Sequence, residues 1–77
     1  MQPSKKYDLT GVNGAAVFRD LPEGLKVRMN DESIVEIVAN ARNGAVLVVK
    51  VLENAANPAS VGNEETILFV DVKEVVE

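Results

Sequence analysis

Asn43-Gly44 lies between two runs rich in β-branched residues, 34–41 and 45–53, and no other feature constrains this chain so tightly. Both central residues of a type I′ turn need positive φ, which Asn and Gly adopt at least cost, so the pair predicts a two-residue hairpin turn. The second run is too rich in Val to be comfortable as an isolated helix. With Asn43 and Gly44 at the turn, residues whose numbers sum to 87 stand opposite each other and share a face. One face then holds Val35, Ile37, Ala39 and Ala41 with Val46, Val48, Lys50 and Leu52, apolar at every position but one, which is a core face. The other holds Ile34, Glu36, Val38 and Asn40 with Leu47, Val49, Val51 and Glu53, and five of these eight are still apolar. An antiparallel sheet normally keeps one face polar, so something is expected to cover the second. Three covers are available: a strand bent across by barrel curvature, the N-terminal segment with Val17 and Phe18, or another chain.

The remaining segments also read as β. Leu25, Lys26, Val27, Arg28 and Met29 alternate apolar with cationic, the period of a half-buried strand. Residues 30–33 form a polar hairpin-type connection, and residues 66–72 form a last full strand. Residues 73–77 fit a one-turn helix or a short closing strand. Residues 15–18 are a short apolar run read as a strand, stopped by the Pro22 and Gly24 turn. Residues 1–14 are polar and turn-rich and read as a flexible N-terminal tail, leaving 15–77 as one small β domain. Between residues 54 and 65 runs a long, small-residue connection in which Pro58 holds Asn57 extended.

Size sharpens the question of cover. A chain of 77 residues buries only about two thirds of its unfolded surface, and no cysteine or histidine provides a disulfide or a zinc site. Fourteen of its apolar residues are Val and only three are aromatic, so each buried position contributes modestly. A second chain is therefore a natural source of stability. No stretch reaches the ~20 apolar residues of a membrane helix, and a cytoplasmic, soluble protein without membrane contact is expected.

The same inventory narrows function. Absence of His and Cys removes Ser-His-Asp triads, thiol chemistry and imidazole catalysis, so no enzyme activity and no cofactor are expected. The net charge is −4, and it becomes −6 once Lys5 and Lys6 in the tail are set aside. That sign repels phosphate backbones, and Arg19, Lys26 and Arg28 are a thin footprint for nucleic acid. Glu64, Glu65 and Asp71 could offer oxygen ligands to Mg²⁺ or Ca²⁺, but no calcium-loop spacing accompanies them, so they read as solvated carboxylates.

Gly24-Leu25-Lys26-Val27-Arg28-Met29 with Asp31-Glu32-Ser33, the strand pair about Asn43-Gly44 and the closing Val70-Asp71-Val72-Lys73-Glu74-Val75-Val76 together resemble the strand order of SH3-like small barrels. In those an early hairpin of the type G-x-x-V … D-G-S is followed by a short turn before the last strand. The resemblance implies a fold: a mainly β, antiparallel, five-stranded SH3-like barrel or strongly bent sheet. Glu32 stands where such hairpins often carry Gly, and the aromatic groove that binds proline-rich peptides has no counterpart, so peptide binding is not implied.

These readings converge on a protein-association module, forming a homo-oligomer or serving as a subunit of a larger complex. Its interface is expected at Ile34, Val38, Leu47, Val49 and Val51 on the second face, with Ile67 and Phe69 on the last strand. Small-ligand binding within a barrel at a subunit junction is the alternative, and weak nucleic-acid binding through Arg19, Lys26 and Arg28 a third.

Overall fold

The computed structural model describes residues 1–77. Along the chain come α1 (Gly14–Arg19), β1 (Lys26–Met29), β2 (Ile34–Ala39), β3 (Val46–Glu53), a 3₁₀ turn at Pro58–Ser60, β4 (Glu64–Leu68), a second 3₁₀ turn at Phe69–Asp71, and β5 (Val72–Val76). The five strands make one antiparallel sheet in the order β4-β3-β2-β1-β5. Consecutive strands are neighbours until β5, which crosses to pair with β1. Hydrogen bonds do not close the sheet into a barrel, so β4 and β5 remain its two edges. No helix is long and apolar enough to cross a membrane.

The register of the β2–β3 hairpin departs from the two-residue turn. Strand β2 ends at Ala39 and β3 begins at Val46, so residues 40–45 make the connection. Arg42 and Gly44 carry the positive φ values, 60° and 77°. The cause is local. The Asn40 side chain donates to the carbonyls of Arg19 and Leu21, which draws it toward the end of α1, and its Oδ1 accepts the Arg42 N–H. Asn43 Oδ1 accepts the Ala45 N–H, an Asx-type turn in place of a type I′ turn. In mid-strand Val35 faces Val51, Glu36 faces Lys50 and Ile37 faces Val49, with irregularities at both ends of the ladder. That is a one-residue slip from the expected pairing, and a one-residue slip exchanges the faces of a strand.

The buried face is therefore Val35 and Ile37 with Leu47, Val49 and Val51, joined by Val27, Met29, Ile67 and Val75. Above it lies α1, where a strand was expected for residues 15–18. Gly14 accounts for part of this: a Cβ there would collide with the Leu9 carbonyl oxygen, so the chain folds tightly on itself at the start of the helix. Ala15 and Ala16 favour the helical conformation, and Phe18 and Leu21 then insert fully buried into the sheet's concave side. The Phe18 ring meets that of Phe69 with centroids 4.9 Å apart, a tilted contact that adds to area burial.

Residues 66–72 do not form one strand. The chain turns at Phe69–Asp71, where the Leu68 N–H donates to Asp71 Oδ2 at 3.2 Å. The corner is held to the β1–β2 connection, since Asn30 donates through its backbone to Asp71 and through its side chain to Val70. The short closing strand is β5. Residues 2–4 of the expected tail run antiparallel to it, with Pro3 bridged to Val76.

The convex face carries a row of alternating charge. Lys26 stands opposite Glu36, Glu36 opposite Lys50, and Lys50 opposite Glu64, so the sign changes at every step across four strands. Beyond this row Val38, Val46 and Val48 are half-buried, while Leu68, paired with Val46, is 49% exposed.

Candidate functional site

Two regions of the surface differ from an ordinary solvated exterior. The first is a cleft of about 320 Å³ at one end of the sheet, between the β1–β2 connection, β3, β4 and the Phe69–Asp71 turn. Its floor is core: Met29, Val35, Val49, Val51 and Ile67. The polar residues of its lining include the acidic Asp31, Glu65 and Asp71 with Asn30, Asn54, Ser33 and Thr66, and no cation. Asp31 Oδ1 accepts both the Ser33 hydroxyl, at 2.6 Å, and the Ser33 N–H, at 2.9 Å. The Ser33 hydroxyl, with its amide in support, holds the Asp31 carboxyl below the usual aspartate range. The Ser33 hydroxyl is thus occupied in shaping a turn. A negatively lined mouth over an apolar floor complements a cation with an apolar body.

No three acidic side chains converge to form a set that could hold a metal ion. Glu64 lies in the convex charge row, apart from the cleft lined by Glu65 and Asp71.

The second region is the outer rim of β4 with the turn that follows. Val70 is 75% exposed and Leu68 49%, both at the end of an edge strand whose far side has no partner. A large aliphatic side chain left in water is unremarkable alone; two beside an open edge are a patch with a direction.

The residues expected at an interface are distributed differently. Leu47, Val49 and Val51 are buried within the chain's own core, because the register slip sets them on the face of Val35 and Ile37, and Ile67 on β4, paired with Leu47, is buried on the same face. Phe69 is half-buried against that core, in the 3₁₀ turn rather than on a strand. Ile34 is buried, opposite Arg28 on one side and Glu53 on the other. Val38 alone of the seven is part of the half-buried convex patch. Sequence reasoning missed Leu68 and Val70, which it treated as mid-strand residues. The Val70-Asp71 step was the available signal, since an Asp inside an otherwise β-branched run commonly accepts a local backbone N–H and ends the strand.

The three cations are scattered and largely paired. Arg19 on α1 binds Asp20 at 3.1 Å. Arg28 reaches Glu74 at 2.5 Å across β1 and β5 and Glu32 at 3.7 Å. Lys26 is exposed in the convex row. Compared with protein-family models, with curated proteins and with solved structures, the chain matches none.

Proposed function

We propose that this chain is a non-enzymatic protein-association module on an SH3-like barrel scaffold, forming a homo-oligomer or serving as a subunit of a larger complex. The strand order, with a short turn before the last strand and Phe18 and Leu21 buried against one face of the sheet, supports the scaffold reading. Exposure of Leu68 and Val70 at the unpartnered rim of β4, next to half-buried Val46 and Val48, carries the association reading. A chain with so little aromatic bulk gains by covering such a patch, at roughly 25 cal/mol for each Å² of apolar surface removed from water. Light scattering between roughly 10 µM and 1 mM tests it. A mass above 8.3 kDa that falls with Leu68→Glu, at unchanged circular dichroism, is the expected result. A chain that stays monomeric throughout this range and retains no protein from its host's extract overturns the reading.

The cleft favours a second reading, small-ligand binding at the sheet's open end, where an assembly would place it near a subunit junction. Its combination of apolar floor and carboxylate lining supports a ligand bearing an amine. A thermal-shift screen of amines decides this, because saturation at 100 times the dissociation constant stabilises by ~2.7 kcal/mol.

A further inference from the structure

The two edges of the sheet differ in what their backbones have left to offer. At β5 the outward groups of its C-terminal end are taken: Gln2 N–H donates to Glu77 at 3.1 Å, Glu77 N–H to Gln2 at 2.8 Å, and Ser4 N–H to the Val75 carbonyl at 2.7 Å. At β4 they are open. Val51 N–H bonds the Asn63 carbonyl and Phe69 N–H bonds the Ala45 carbonyl, so the odd-numbered residues turn their backbone toward β3. Alternation then turns the N–H and C=O groups of Glu64, Thr66 and Leu68 outward. Leu68 fits this sense, because its N–H is free to bond Asp71 Oδ2.

Resting on the association reading, we propose that β4 pairs antiparallel with β4 of a second copy about a two-fold axis at Thr66. The outward residues limit where such an axis can fall. At Glu64 it sets two carboxylates face to face, and at Glu65 it does the same. At Ile67 or Leu68 it draws on the Leu68 N–H that Asp71 already holds. At Thr66 the two copies exchange both Thr66 backbone bonds and each Glu64 N–H donates to the Leu68 carbonyl of the other copy; Glu65 stands opposite its Ile67, and each Leu68 N–H stays on Asp71, so only the outermost bond, from Leu68 to Glu64, is forgone. Pairing of β4 with β5 of another copy is obstructed at the C-terminal end of β5 by residues 2–4, which favours the β4–β4 arrangement. Covering the edge also removes part of the exposed Leu68 side chain from water.

Sedimentation equilibrium up to roughly 1 mM, suited to an edge this short, tests the pairing with two variants. Thr66→Pro removes one outward N–H and no bond to β3, as edge strands allow. The expected result is a mass of twice 8.3 kDa for the native chain and a shift to monomer in Thr66→Pro with its circular dichroism unchanged. Thr66→Cys covers the case in which the proline variant unfolds: in a chain without cysteine, residues on a two-fold axis about 5.5 Å apart at Cα form a disulfide under mild oxidation, whereas Ala59→Cys does not. A native dimer that persists in folded Thr66→Pro, or a dimeric Thr66→Cys chain that forms no crosslink, overturns the β4 pairing and leaves self-association standing. A monomer at every concentration overturns this proposal and self-association together.

Discussion

Ile37 and Val49 face each other across the β2–β3 ladder, both sealed from solvent, where a two-residue turn would have set Ile37 against Lys50. Val49 is 0% exposed, so Val49→Glu places a carboxylate in the core without a partner. Such burial costs several kcal/mol, and a domain of this size has only about 4–11 kcal/mol to lose. The expected outcome is an unfolded chain by circular dichroism at 25 °C. A folded Val49→Glu of reduced mass would instead make this position part of an interface between chains.

Phe18 tests the contribution of α1. Its fully buried ring is the largest side chain in the core and touches Phe69. Phe18→Ala is expected to cost about 3–5 kcal/mol and Phe18→Leu considerably less. Urea midpoints of the two variants check the ordering, and equal losses would mean that the sheet is stable without the helix over it.

At Gly14 two effects oppose each other. Alanine gains up to about 1 kcal/mol in helix propensity. Its Cβ, however, would collide with the Leu9 carbonyl oxygen and lie 2.9 Å from the Leu9 carbonyl carbon, and backbone cannot yield as a flexible side chain can. Overpacking of this kind costs about 1–3 kcal/mol. Gly14→Ala is therefore expected to be the less stable protein, with a lower urea midpoint.

Glu32 adopts φ 71°, the left-handed conformation that glycine reaches most readily. Its carboxylate meets Lys73 at 2.8 Å, an exposed pair of small value. Relief of the backbone outweighs loss of the pair, and Glu32→Gly is expected to raise the melting temperature by about 3 °C. Calorimetry checks the sign.

Acid should weaken the β1–β2 connection. The Ser33 hydroxyl holds Asp31 below its ordinary range, and the Lys73 ammonium does the same to Glu32. A carboxyl whose folded pKa is depressed contributes stability above its unfolded value, near pH 4, and loses it as pH falls through the folded value. Urea midpoints are expected to be flat from about pH 7 to 5 and to decline below about pH 4. Ser33→Ala should make that decline shallower, and an unchanged slope would remove Asp31 as its origin.

Strand alternation made much of this legible from residues alone. Leu25 to Met29 and the two runs about residue 43 predict strands that form, and of the two readings of residues 73–77 the closing strand is the one found. The face assignment was not legible, because it depends on one residue of register, and that residue is decided by Asn40 reaching two carbonyls at the end of α1. No pattern local to the hairpin encodes a contact made 19 to 21 positions away. The helix was hidden for a related reason: six residues are too few for a periodicity, and Gly14 is informative only once Leu9 is known to press on it. Likewise the exposed Leu68 and Val70 depend on the corner that Asp71 and Asn30 stabilise.

Residues 2–4 are held to β5 by three backbone bonds at the margin of the fold, the kind of contact that opens long before the rest unfolds. That short segment covers the end of one sheet edge. Once it is displaced, β5 is as open as β4, and head-to-tail pairing of these two unlike edges, the geometry of an open-ended fibre, becomes available.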